Sequence, residues 1–214
     1  MRVEFGTTEL GRIIFPISSS IAEAASSPSD AMLPVNESVV TPMVFSGVFS
    51  REECARAIEA GERLELRPGH MMDARPDCRR SSIAWLEPDQ HTPWLYDRLA
   101  QLFLKVNRWY RYELAGFVDS VQFTTYTVGD GFGWHLDAGR GQTSTRKLSM
   151  SVQLTEGDEY DGGQLEFCGM GPLGQSRGLG TVIVFPSFLA HRVTPITRGS
   201  RRALVAWAHG PAFR

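Results

Sequence analysis

Lysine is nearly missing from this chain: it occurs only at positions 105 and 147, and the rest of the basic charge is arginine. The 22 basic residues are offset by 24 acidic ones, for a net charge of −2, so neither nucleic acid nor an anionic membrane is favoured as the main partner. Cysteine is scarce as well. Cys54, Cys78 and Cys168 are odd in number and show no CxxC spacing, which excludes a disulfide framework and a cysteine-built zinc site. Scattered thiols suit a reducing compartment, so a cytoplasmic protein is expected. No apolar run is long enough for a signal peptide or a membrane helix, and no internal repeat is present.

What is there fits one well-cored domain with a small extension: 214 residues, 42% hydrophobic and 21% charged. Residues 1–33 are expected to be an N-terminal extension, flexible in part. They hold a short apolar stretch from Arg12 to Ile17 and a Ser/Ala-rich linker from Ser18 to Asp30. The domain proper is expected over 34–214. Ser50 with Glu53 makes a capping box and predicts a helix over 51–63. Trp94, Leu95, Leu99, Leu102, Phe103, Val106 and Trp109 or Tyr110 recur at helical spacing and predict a second helix from Pro93 to Leu114. Between them, residues 79–86 read as one strand after an arginine-containing loop.

From residue 116 the pattern changes to short β-rich segments at 118–127, 147–155, 164–168, 180–185, 190–195 and 201–208, separated by Gly, Asp or Pro turns. Six or more strands after two helices predict a mainly β protein, a double-sheet jelly roll with supporting helices.

The chemistry starts at His135 and Asp137. On an extended chain these two project from one face, placing an imidazole and a carboxylate side by side. His191 stands at the entry of a late strand. Two histidines and one carboxylate form the facial triad that leaves open positions on a non-haem iron. Ten residues on, past the turn 197–200, stands Arg201. Its planar fork suits a fixed carboxylate inside an apolar barrel, and alternation of 201, 203, 205 and 207 favours it over Arg202. Gln122, Thr124 and Tyr126 share one strand face, and Asp161, Gly162 and Gly163 form a tight turn into the next strand. Arg79, Arg80 and Arg146 are candidates to pair with a substrate carboxylate, and the loop from Pro68 to Asp77 is a candidate lid.

In this order, Gln122, Tyr126, Gly129, His135, Asp137, the run Arg146 to Ser149, the run Asp161 to Leu165, His191, Val193, Pro195, Arg201 and Trp207 resemble the prolyl 4-hydroxylase-like branch of Fe(II)/2-oxoglutarate oxygenases. That branch includes the PiuC-type bacterial hydroxylases, and the resemblance covers roughly residues 118–208. It implies a double-stranded β-helix, iron ligands His135, Asp137 and His191, and O2 and 2-oxoglutarate as co-substrates, with ascorbate as a candidate reductant. It also implies Arg201 at the far carboxylate of 2-oxoglutarate, Tyr126 as a hydroxyl donor, Leu165 and Val193 as apolar walls, and Arg146 and Trp207 facing substrate. Gln153 departs from the pattern, standing where some relatives carry a second co-substrate tyrosine; its role and that of Ser151 on the same face are left open.

The expected reaction is hydroxylation of an amino acid or small metabolite. Peptidyl-proline hydroxylation comes second, then desaturation, epoxidation or cyclisation. A non-catalytic jelly-roll binding protein would have no need of the triad and Arg201 together. The sequence carries no indication of oligomeric state.

Overall fold

The computed structural model describes residues 13–14, 40–69, 78–171, 173–174 and 176–213. The linker at Ser18–Asp30, the domain start near Pro34 and most of the candidate lid, residues 70–77, lie outside the described residues. Along the chain run strands β1 (Ile13–Ile14) and β2 (Met43–Phe45), helix α1 (Arg51–Glu62), strands β3 (Arg67–Pro68), β4 (Arg79–Arg80) and β5 (Ser82–Leu86), and helix α2 (Pro93–Tyr110). Then come β6 (Gly116–Phe117), β7 (Val121–Tyr126), β8 (Gly131–His135), β9 (Arg146–Gln153), β10 (Leu165–Phe167), β11 (Val182–Pro186), β12 (His191–Val193) and β13 (Arg201–His209).

These strands form two antiparallel sheets. The larger has the order β2-β11-β9-β13-β7-β5-β3, with β6 also on β13 and β1 on β6; the smaller has the order β10-β12-β8-β4. This is the expected jelly roll, a double-stranded β-helix backed by helices. None of the described helices is long and apolar enough to cross a membrane.

Period-two alternation divides each long strand between two interiors. Met150, Val152 and Leu154, Val182 and Val184, and Leu204, Ala206 and Ala208 pack against the helices. There α2 supplies Leu95, Leu99, Phe103 and Val106, all buried, each contributing about 1.5–3 kcal/mol. The opposite faces enclose a second core between the sheets, with Tyr126, Ile183 and Phe185 from one sheet and Phe132, Leu165, Phe167 and Val193 from the other.

Two expectations need correction. Helix α2 stops at Tyr110, four residues early, because Arg111 takes a left-handed φ of 57°. The Asn107 side chain then bonds both the N–H and the carbonyl of Tyr112 and turns the chain away. Of the two aromatic candidates at its end, Tyr110 is buried and Trp109 exposed. Residues 79–86 form two strands in different sheets: Arg79 pairs with Phe132, whereas Ser82 pairs with Thr125. Ser81 makes the break, its carbonyl taken by the Gly69 N–H and its hydroxyl by the Arg79 Nε. Strand β8, which the segments read from the sequence did not include, begins at Gly131 and ends on His135.

Candidate active site

His135 closes β8 and His191 opens β12, and the two are direct partners across the smaller sheet. Asp137 lies beyond the strand end. Its backbone N–H and that of Ala138 both donate to the carbonyl of Ser187, in the turn between β11 and β12. Trp134 and Leu136 face outward, about half exposed, while His135 and Asp137 face inward.

The three side chains meet closely. His135 Nε2 is 3.7 Å from Asp137 Oδ1, and His191 Nε2 is 3.7 Å from Oδ2. One ligating atom from each lies within 4.8 Å of the others. These spacings are too long for hydrogen bonds and suit donors arranged around one small cation. Both imidazoles are preset for that task. His135 Nδ1 donates to the Gly133 carbonyl and His191 Nδ1 to the Leu189 carbonyl, each at 2.8 Å, leaving both Nε2 lone pairs toward Asp137. The His135 ring stacks on Phe132 at 3.4 Å, and His191 packs edge-on against Phe185.

Burial, then the neighbouring His191, push the His135 imidazole down to about 4, which keeps it a neutral donor. Burial alone would raise the Asp137 carboxyl, but His191, His135, Arg146 and the Ser149 hydroxyl outweigh it and hold the group below its ordinary value. Ser149 Oγ donates to Asp137 Oδ2 at 2.6 Å and is itself 3.0 Å from Ser187 Oγ. Two imidazole nitrogens and one buried carboxylate fit a divalent iron with open positions.

Deeper in the barrel, Arg201 is 3% exposed, and among the described residues no Asp or Glu pairs with it. Its Nε donates to Gln153 Oε1 at 2.9 Å, and its guanidinium carbon stands 5.6 Å from the Tyr126 ring, on the facing residue of β7. Gln153 Nε2 reaches Ser151 Oγ at 3.4 Å, so these two inward polar groups of β9 belong to the arginine's surroundings. Leu165 and Val193, partners across β10 and β12, are buried in the same interior. A buried guanidinium without a counter-ion is costly and calls for a carboxylate ligand. Gly163, at φ 60°, lets the turn lie flat here: a Cβ would come within 2.4 Å of Ile196 Cδ1 and 3.1 Å of Arg201 Cδ.

At the other end of the triad, the Arg146 guanidinium lies 3.9 Å over the Trp207 ring, and its Nη1 donates to the Asp137 carbonyl. Its Nε donates to Asp119, which also bonds His209. Trp85 tilts against Trp207 with ring centroids 6.2 Å apart. Arg79 reaches inward to Ser81, Gln122 and the Phe132 face, whereas Arg80 is exposed on the opposite side of the strand. Of the sequence-predicted site residues, Arg80 alone is left outside.

Sequence reasoning missed Ser187, Asp119, His209 and Phe132, and gave Ser149 no role. Alternation from Gln153 and Ser151 would have reached Ser149. Nothing local marks Asp119, which is brought to Arg146 by pairing of distant strands.

A jelly roll with a His-x-Asp and a later His gathered between its sheets is the framework of the mononuclear non-haem oxygenases. Residues 121–209 match the 2OG-Fe(II) oxygenase superfamily. A PKHD-type hydroxylase of Stutzerimonas stutzeri is 28% identical over 173 residues, 76% of each chain, and one of Acidovorax ebreus is 38% identical over 95 residues, 41% of its length. Among solved structures, a Pseudomonas putida prolyl-4-hydroxylase superposes with a TM-score of 0.66 at 25% identity, covering 81% of this chain and 94% of that one. The viral collagen prolyl hydroxylase of Paramecium bursaria Chlorella virus-1, in its 2-oxoglutarate complex, has a TM-score of 0.59 at 18% identity, over 79% and 96%. Residues 121–209 thus carry a likeness to the 2OG-Fe(II) oxygenase superfamily, and over most of its length the chain is similar to a PKHD-type hydroxylase and to a prolyl-4-hydroxylase. Fe(II), 2-oxoglutarate and O2 are the cofactor and co-substrates of the family.

Proposed function

We propose that the enzyme hydroxylates an unactivated C–H bond of an amino acid or small metabolite while 2-oxoglutarate is decarboxylated to succinate. In this reading His135, Asp137 and His191 hold the iron, and Arg201 takes the far carboxylate of 2-oxoglutarate, with Tyr126, Gln153 and Ser151 beside it and Leu165 and Val193 as walls. The observation that carries it is the pairing of an open two-histidine, one-carboxylate cluster with a buried guanidinium that has no acidic partner among the described residues. Iron, 2-oxoglutarate and O2 supply the oxidising power when bound; the chain supplies geometry. The carbonyls of Gly133 and Leu189 orient the imidazoles, Ser149 fixes one oxygen of Asp137, and Phe132, Phe167 and Phe185 keep water from the back of the site. Trp207, Trp85 and Arg146 line the substrate side.

A second reading, hydroxylation of a peptidyl proline, is favoured by the likeness to the Pseudomonas putida prolyl-4-hydroxylase. Three thiols free of disulfides agree with a cytoplasmic enzyme. Succinate formation with Fe(II), 2-oxoglutarate and ascorbate as the reductant, measured across amino acids, prolyl peptides and small metabolites, tests both. Stimulation by amino acids or metabolites supports the first reading; stimulation by prolyl peptides alone replaces it with the second.

A further inference from the structure

Arg79 is a second inward-facing cation without an acidic partner among the described residues. Its Nε donates to Ser81 Oγ at 2.8 Å and one terminal nitrogen donates to Gln122 Oε1 at 2.7 Å. Its guanidinium carbon lies 4.7 Å from the centre of the Phe132 ring, and Phe132 stacks on His135. The guanidinium therefore touches the ring on which His135, a candidate metal ligand, stacks. Gly69 makes room for it, since a Cβ there would come within 2.7 Å of Arg79 Nε. Both named partners are neutral, so they aim the fork without cancelling its charge.

The charges around the site separate the arginines. Arg146 is satisfied by Asp119 and by the Asp137 carbonyl. Arg80 faces solvent. Asp130, the other carboxylate near Tyr126, is committed to the Thr127 amide and hydroxyl. Of the three inward guanidiniums, that of Arg146 has Asp119 beside it, whereas those of Arg79 and Arg201 have no carboxylate partner among the described residues.

We propose that Arg79 is the substrate-recognition residue of this enzyme and that the substrate carries a carboxylate, bound by the Arg79 fork and oriented by Gln122 and Ser81. The inference rests on the oxygenase reading above. It selects free acids over amides, esters and internal peptide positions.

The test is thermal denaturation of the full chain loaded with Zn(II), which is redox-inert, and 2-oxoglutarate. Free and N-acylated L-amino acids are added beside their primary amides. Saturable stabilisation by at least one acid, at no more than about a tenth of the concentration its amide requires, supports the proposal; that ratio corresponds to about 1.4 kcal/mol. In Arg79→Met the preference disappears, and Arg79→Lys restores it in part. If no acid stabilises the wild-type protein beyond its amide, or if Arg79→Met keeps the preference, the proposal is overturned. Failure of the underlying reading is seen separately, because 2-oxoglutarate alone would then not stabilise the Zn(II)-loaded wild type. The comparison within the wild-type protein holds even if a variant fails to fold.

Discussion

Ser149 stands behind Asp137 and, with Ser187 behind it, fixes the carboxylate by a chain of hydroxyls. Removing that chain frees the Asp137 side chain while leaving all three donor groups in place. In Ser149→Ala the divalent-metal affinity is expected to fall about 10- to 100-fold, read by calorimetric titration. Unchanged affinity would mean that Asp137 is held by its backbone alone. His135 gives a second prediction, in pH. Its folded-state value near 4 lies below the ordinary 6.5, so the neutral ring belongs to the folded state and the unfolded chain takes up the proton first. That stability is present above about pH 6.5 and is lost as pH falls toward 4. The metal-free protein should lose about 2 kcal/mol by pH 5 from this group. Denaturant unfolding at pH 7 and pH 5 checks it; His135→Gln should flatten the dependence, and an identical slope in the variant would contradict it.

At the scale of elements, the turn before β10 is set by Gly162 as well as Gly163. Gly162 has φ 76°, and a Cβ there would stand 2.0 Å from the Pro195 carbonyl oxygen, a backbone atom that cannot swing away. Gly162→Ala should destabilise the protein by about 2–4 kcal/mol, read as a lower melting temperature, and should weaken 2-oxoglutarate binding through the displaced turn. Helix α1 is held by a reciprocal cap, with Ser50 Oγ accepting from the Glu53 N–H and the Glu53 carboxylate accepting from the Ser50 N–H. Ser50→Ala should cost about 1 kcal/mol, with no change in metal affinity.

The elements also explain what could be read in advance. The capping box and the heptad-like spacing of α2 are local patterns, and they located both helices. Alternation along β13 put Arg201 and Trp207 on one face, and the family resemblance marked Gln153, with Ser151 on the same face of β9, before any pairing was known. The end of α2 depended on Asn107 reaching forward to Tyr112, a side-chain choice that periodicity does not encode. The break at Ser81 depended on two sheets competing for one run of residues. Asp119 and His209 were illegible for the same reason, since only the pairing of distant strands brings them to Arg146.

For the whole molecule, the helix-backed sheet is a rigid wall and the smaller sheet closes over it, so the triad comes from strands separated by more than 50 residues yet converges on one point. Arg201 enters from the larger sheet and the histidines from the smaller, so the two halves of the candidate site are joined by the fold alone. An anaerobic titration of the metal-free protein with Fe(II) and 2-oxoglutarate tests this joint arrangement most directly. One iron and one 2-oxoglutarate per chain should give a weak visible charge-transfer band. His135→Ala should abolish it, and Arg201→Met should still bind iron but need at least about 100-fold more 2-oxoglutarate to reach it. No band in the wild-type protein, or a band that survives in His135→Ala, would contradict the account.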